Sequence, residues 1–351
     1  MKIVFTGGGT GGHVIPNLAV ISELKRLAGY AQIFYIGSRN SIEERLAREA
    51  GIEFHSVSTG KLRRYFSFQN VVDAVKVPVG IIEALKLLLK LKPNAVFAKG
   101  GFVSVPVAIA AGILRIPLVI HESDLTPGLA TKITARIAKK ICLSFPTAKP
   151  NKKMIVTGNP VRPLGSAQRG KDFLKFEEEK PIVLVTGGSG GAAALNKLLE
   201  ETFLALVRKV NLVWLTGDTK LSSVSHPSLR VFDFLEKEYL DVLAASSLVV
   251  SRAGANTIFE IAAAGKPSIL IPLPRTASRG DQIENAQFFE RASASIILRQ
   301  EKAKAWDFTK LVFWLTAERE RLQKLGDAAK LIAHDDAAEK IAKIILDVAK
   351  K

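Results

Sequence analysis

An α/β protein of two Rossmann-like, doubly wound domains is what this sequence predicts, on three observations. Short apolar runs alternate with longer amphipathic stretches, as parallel strands alternate with the helices that cover them. The alternation runs through the chain twice. Each series opens on the same signature: "IVFTGGGTGG" at 3–12 and "VLVTGGSGGA" at 183–192 share strand, Thr, Gly-Gly and a further glycine at a constant offset.

In the first series the expected strands are 2–6 (KIVFT), 32–36 (QIFYI), 95–98 (AVFA), 117–120 (PLVI) and 141–144 (ICLS). Each is a short, nearly continuous apolar run, as a strand covered on both faces requires. The second series gives 182–186 (IVLVT), 212–216 (LVWLT), 229–233, 247–251 (SLVVS) and 268–272 (SILIP). Helices fit between them, for example at 16–28, 41–50, 126–139 and 255–264. The boundary is expected near "VTGNPVRP" (156–163), where two prolines flank a polar turn. That gives domains 1–160 and 161–335, and a closing helix at about 336–351 whose return to the first domain the sequence leaves open.

The 351 residues, 48% of them apolar, are enough for two ordinary cores. The single cysteine, Cys142, excludes an internal disulfide and a multi-cysteine metal site, and fits a reducing compartment. No secretory leader is expected, because residues 2–6 already read as a strand, and no apolar run reaches the roughly 18 residues of a membrane span. Fifty Lys and Arg against 33 Asp and Glu give a net charge of +17. Such an excess suits a polyanionic partner: nucleic acid, an anionic membrane surface or phosphorylated substrates. Nucleic acid is the weakest of these, since no helix-turn-helix, zinc finger or regular stacking pattern is present.

Gly7, Gly9 and Gly12 formally satisfy G-x-G-x-x-G, and glycines here let a phosphate approach the backbone at a helix N-terminus. As a dinucleotide fingerprint the pattern is weak, because the second strand ends "YIGSRN" without the acid that holds a ribose; Arg39 could serve a 2′-phosphate instead. In the second glycine-rich turn Ser189 suits either a phosphate contact or a helix N-cap. In "SRAGANTIFEIAAAGKPSILIPLP" (251–274), Ala255, Asn256 and Thr257 open a helix whose amides face an anion. Glu260, one turn in, reads either as an acceptor for vicinal hydroxyls or as a favourable first-turn acid. At 61–91, Lys61, Arg63 and Arg64 precede Tyr65, Phe66, Phe68 and a largely apolar stretch. That combination fits an interface with anionic headgroups, or a buried helix with a cationic flank.

Seven stretches together resemble a known family: "GGTGGHVIPNLAV" (8–20), "KGGFVSVP" (99–106), "HESDLTPGLATK" (121–132), "GNPVR" (158–162), "GGSGGA" (187–192), "SRAGANTIFEIAAAGKPSILIP" (251–272) and "DQIENA" (281–286). They resemble, in order and over nearly the whole chain, the MurG family of UDP-N-acetylglucosamine:lipid I N-acetylglucosaminyltransferases. The resemblance implies a GT-B glycosyltransferase whose two domains face each other across a cleft. The first would bind the acceptor and the membrane, the second UDP-GlcNAc. It also implies inverting transfer of N-acetylglucosamine to the 4-hydroxyl of lipid I, forming lipid II for peptidoglycan synthesis, on the cytoplasmic face of the membrane. Rival readings are a diacylglycerol glycosyltransferase, a UDP-GlcNAc 2-epimerase or a non-catalytic sugar-nucleotide-binding protein.

Residue by residue, the resemblance puts Thr10, Gly11 and Gly12 on the donor side of the cleft and Arg162 near the donor diphosphate. It matches Ser189 to the family's second-loop serine, and Ala255, Asn256, Thr257, Ile258, Phe259 and Glu260 to the segment holding diphosphate and ribose. Gln282 and Asn285 match the pair that contacts the transferred sugar, and Leu235 stands near the uracil contact. Asp124 occupies a sugar-contact position where several members carry asparagine, and Asp281 one often filled by glutamine or histidine. His13 is the expected general base, or a residue that only orients the acceptor, with Asp124 and Glu122 in reserve. No cofactor and no metal are expected. No Asp-x-Asp pair sits at a suitable loop, and helix dipoles, loop amides and Arg162 would neutralise the departing UDP.

Overall fold

The computed structural model describes residues 1–60, 68–188, 193–219 and 224–350, with only the backbone of 68–75. The chain forms two compact units, Met1–Arg162 with His334–Lys351, and Pro163–Ala333.

Unit 1 begins β1 (Lys2–Thr6), α1 (Gly11–Leu27), β2 (Gln32–Gly37), α2 (Ile42–Glu49), β3 (Glu53–Ser56) and α3 (Phe68–Leu91). It continues β4 (Ala95–Ala98), α4 (Ser104–Ile113), β5 (Leu118–Glu122), α5 (Leu129–Thr134), β6 (Lys140–Leu143) and β7 (Met154–Val156). The seven strands pair in the order β3-β2-β1-β4-β5-β6-β7, all parallel. Strand order reverses between β1 and β4, and the crevice beyond the carboxyl ends of those two strands is where such sheets bind ligands. Both faces are covered, so β4 is apolar throughout and β1 is apolar between Lys2 and Thr6; the tilted rings of Phe5 in β1 and Phe97 in β4 lie 5.4 Å apart.

Unit 2 runs α6 (Ala167–Leu174), β8 (Ile182–Thr186), α7 (Ala193–Leu206), β9 (Asn211–Leu215), β10 (Leu229–Phe232), α8 (Tyr239–Ala245), β11 (Leu248–Ser251) and α9 (Ala255–Ala263). It closes with β12 (Ser268–Leu270), α10 (Asp281–Arg291), β13 (Ile296–Ile297), α11 (Ala305–Thr316) and α12 (Arg319–Ile332). Its order, β10-β9-β8-β11-β12-β13, reverses between β8 and β11. The last helix, α13 (Ala337–Ala349), belongs to unit 1. Its Ile341, Ala342, Ile345 and Val348 enter the core beside Val20, Ile21 and Leu24 of α1, and Arg26 pairs with Glu339 at 3.2 Å.

Some expected boundaries are corrected. The first helix starts at Gly11, not residue 16, so Pro16 lies inside it. The missing amide of Pro16 forfeits one early helical bond, and burial of Val14, Asn17 and Val20 outweighs that loss. The helix expected over 126–139 shrinks to α5, because Pro127 holds the chain extended up to the Gly128 N-cap. β3, β7 and β13 were not expected; all three are sheet-edge strands.

Candidate functional site

Each unit gathers its candidate residues at the carboxyl end of its own sheet, around its own switch point. In unit 1 the glycine-rich turn is held from below. Glu43 of α2, fully buried, accepts the N–H of Gly9 and of Ser38, both at 3.2 Å. Asn17 donates to the Thr6 carbonyl (3.3 Å) and to the Tyr35 hydroxyl (2.8 Å), and that hydroxyl donates to the Gly7 carbonyl at 2.6 Å. Thr10, exposed, is the extended N-cap of α1 with no side-chain bond into the helix. Gly11 and Gly12 form the first helical residues.

His13 is half-buried, its N–H donating to the Thr10 carbonyl at 3.1 Å. Its ring rests on the Gly100–Gly101 backbone after β4. A β-carbon on Gly101 (φ 77°) would stand 3.0 Å from His13 Cδ2 and 2.5 Å from the Gly8 carbonyl oxygen. Only glycine lets the two turns meet so closely.

Under this surface lies a buried polar floor. Lys99, 1% exposed, donates to Ser123 Oγ and, at 3.3 Å, to Asn159 Oδ1, which also accepts from Ser144 Oγ at 3.2 Å. Burial pulls the Lys99 ammonium down to about 7, against the opposing pull of Glu122, Asp124 and Cys142. His121 Nε2 lies 3.0 Å from the Gly158 carbonyl; burial, and then the Lys99 charge, hold this imidazole well below its ordinary range. Gly158 (φ 83°) admits no side chain, since a β-carbon there would sit 2.4 Å from His334 Cβ. Glu122 accepts the N–H of Asp124 (3.1 Å) and of Gly128 (3.0 Å), which commits this reserve base to shaping the turn. Asp124 stands half-buried on that turn. Arg162, half-buried, ends unit 1.

In unit 2, Ser189 lies outside the described residues. The turn before it has Gly188 (φ 79°), whose N–H donates to Thr186 Oγ1 at 3.3 Å. Helix α9 opens behind an extended Gly254 with no side-chain cap, so its first turn presents backbone N–H groups. Asn256, Thr257 and Glu260 are half-buried on its outer side, and Ala255 is buried. The side chains of Ile258 and Phe259 face inward. Both are 1% exposed in the core, where Phe259 packs edge-on against Phe289, so they offer only backbone. Asn285 is likewise fully buried and donates to the Ala253 carbonyl at 3.3 Å, bracing the turn into α9 from α10. Gln282 accepts the Leu273 N–H at 3.1 Å, and Leu235 packs partly into the core beside α8. Asp281 pairs with Arg279 at 3.3 Å. Among the described residues no group of three or more His, Cys, Asp or Glu is placed to hold a metal ion.

Sequence reasoning missed Glu43, Asn17, Lys99 and Arg252. Arg252, 6% exposed directly after β11, donates to the Ile271 carbonyl at 2.9 Å, and its Nε meets no partner. The available signal was a cation placed straight after a short, mostly apolar strand, in "AVFAK" and in "LVVSR".

The N-terminal domain of glycosyltransferase family 28 matches residues 3–143, and its C-terminal domain matches 182–341. A UDP-N-acetylglucosamine--N-acetylmuramyl-(pentapeptide) pyrophosphoryl-undecaprenol N-acetylglucosamine transferase of Clostridium tetani is 44% identical over 92% of both chains. One of Legionella pneumophila is 41% identical over 99% of this chain and 97% of its own. Among solved structures, Acinetobacter baumannii MurG (TM-score 0.76, 24% identity, 99% of each chain) shares the fold. So does a Neisseria meningitidis UDP-GlcNAc 2-epimerase (TM-score 0.70, 15% identity, 99% of this chain and 100% of that one). With two Rossmann-like units of GT-B type and relatives at this identity along nearly its whole length, the chain belongs to glycosyltransferase family 28 and, within it, to the family of these N-acetylglucosamine transferases.

Proposed function

We infer that the chain transfers N-acetylglucosamine from UDP-GlcNAc to the 4-hydroxyl of the muramoyl sugar of lipid I, forming lipid II for peptidoglycan synthesis. The observation that carries this reading is the identity of 41–44% with such transferases over 92–99% of the chain. In the step, the acceptor oxygen bonds to the anomeric carbon as the bond from that carbon to the UDP phosphate oxygen breaks. The hydroxyl proton passes to His13, and direct attack on the α-linked donor gives a β-linked product.

The roles within each unit follow the chemistry of their groups. His13 takes the proton, because a neutral imidazole offers a ring nitrogen able to accept it. Asp124, on the same end of the sheet, orients the acceptor sugar, and Thr10 to Gly12 take the donor side. In unit 2 the amides opening α9 hold the diphosphate and Glu260 accepts the ribose hydroxyls. Gln282 directs its amide to the transferred sugar, while Arg162 offsets the charge of the leaving UDP. Helix N-terminus and guanidinium supply that charge without a metal ion.

The protein works at a membrane surface, on the cytoplasmic side where its nucleotide donor is made. No helix of the described residues is long and apolar enough to cross a membrane. Helix α3 supports peripheral attachment: Lys76, Val79, Ile82, Lys86, Leu89 and Lys90 are exposed along it. Mixed apolar and basic residues suit an anionic lipid surface. Lys61 to Phe66, which completed that expectation, lie outside the described residues.

The test is transfer of labelled GlcNAc from UDP-GlcNAc to a lipid I analogue in the presence of a chelator, with the linkage determined by NMR. A β-linked disaccharide is expected. Transfer to diacylglycerol instead, an α-linked product, or dependence on added metal would overturn the reading.

A further inference from the structure

A lysine is the most expensive residue to place where Lys99 stands. It is 1% exposed at the end of an apolar strand, and a buried ammonium is tolerated only when its donors are satisfied and its charge is balanced. Two of its three N–H donors have side-chain acceptors, and two carboxylates offset part of the cost of burial. Lys99 follows β4, while its acceptors Ser123 and Asn159 come from the turns after β5 and β7. One side chain therefore ties three strand ends of the same sheet. The backbone carrying it runs directly into Gly100 and Gly101, the surface on which the His13 ring rests. Glu122 and Asp124 act electrostatically on the ammonium and favour its charged form against burial. Glu122 is also engaged by two backbone N–H groups that frame the 122–128 turn, and Asp124 stands on that turn as the second carboxylate acting on Lys99.

We propose that Lys99 is a positioning residue for the transfer reaction: it fixes the seat of His13 relative to the 122–128 turn and balances the charge of Asp124, so that base and acceptor sugar meet in one geometry. The inference rests on the reading of unit 1 as the acceptor side. A lysine acting only as a structural staple would change melting temperature and leave the kinetics of folded enzyme alone. A positioning lysine changes kcat and the acceptor KM, and leaves the donor KM where it was.

The experiment measures steady-state transfer to a lipid I analogue, with a melting curve for each protein, for wild type, Lys99→Met, Asp124→Asn and the double variant. Lys99→Met should lose roughly 10- to 100-fold in kcat/KM for the acceptor, as small misplacements of reacting groups do, with the donor KM unchanged. The double variant, which has lost both charges, should be more active than Lys99→Met, a non-additivity expected of coupled groups. Ser123→Ala removes one acceptor of the ammonium without a charge change. It should move the same parameters in the same direction by a smaller factor, and it carries the test if Lys99→Met does not fold. Wild-type kcat and acceptor KM in folded Lys99→Met, or in Ser123→Ala, would overturn the proposal, as would a double variant no better than the product of the singles. Wild-type enzyme that transfers nothing would overturn this proposal together with the reading it rests on; active wild type with indifferent variants overturns this proposal alone.

Discussion

The two units repeat one backbone device and furnish it differently. In both, strand order reverses beside the first strand, and the first residue after the strand across the reversal is a buried cation: Lys99 after β4, Arg252 after β11. Around Lys99 stand His121, Ser144, Asn159 and Glu122, a cluster of side chains. Around Arg252 stand the backbone carbonyl of Ile271 and the uncapped N-terminus of α9. Burial lowers both cations, yet only the lysine reaches about 7, where it can change charge near neutrality; a guanidinium stays charged. A repeated fold thus sets a titratable cation at one switch point and a permanently charged one at the other.

The largest test of that division is His13→Ala. It should lower kcat roughly 10²- to 10⁴-fold while UDP-GlcNAc affinity, a property assigned to unit 2, stays near wild type. Near-native turnover would remove His13 from the chemistry and break the comparison. Next comes Glu260→Ala, which should weaken UDP and UDP-GlcNAc alike by roughly ten- to a hundredfold, about 1.5–3 kcal/mol, because both ligands carry the same ribose hydroxyls. Calorimetry showing unchanged UDP affinity would take that role away.

A smaller effect separates the units by pH. The folded His121 imidazole titrates well below its ordinary range, so below about pH 6.5 the unfolded chain binds more protons and stability falls as the pH falls. The loss should approach about 1.4 kcal/mol per pH unit, and His121→Gln should abolish it. Two probes sort the units. Cys142, the single cysteine, is buried in unit 1, whereas Trp214, Trp306 and Trp314 all lie in unit 2. Thiol labelling in denaturant should show the slope and tryptophan emission should not. The same slope in both probes would assign the titration elsewhere. The mildest change is charge reversal at Arg63 and Arg64, which should reduce sedimentation with anionic vesicles, more at low salt than at high, and leave the melting curve in place. Equal binding to neutral and anionic vesicles would detach the excess charge from the membrane.

Ten strands were legible, all but the edge strand β10 because central parallel strands are covered on both faces, so "IVLVT" or "AVFA" can be little else. β3 (EFHS), β7 (MIV) and β13 (II) were not, because the first is largely polar and the other two are only three and two residues long, and a neighbour on one side fixes them. The glycine turns were legible for the same local reason, since the backbone conformation they need is written in the residue type. The floor beneath them was not. A lysine in a sequence reads as surface charge, and Lys99 becomes a buried donor only when β5 and β7 bring Ser123 and Asn159 to it. Nor could the sequence show that Asn285, matched to a sugar-contacting pair, is buried and braces the turn before α9.

Because the chain leaves unit 1 after Arg162 and re-enters it at His334, birth order and architecture disagree. On a ribosome making about 5–20 residues per second, unit 1 waits roughly ten to forty seconds between the emergence of Arg162 and that of α13. Through that interval Val20, Ile21 and Leu24 of α1 lack the cover that Ile341, Ile345 and Val348 later provide. The unit synthesised first is therefore the last to be sealed, after the whole of unit 2 has emerged.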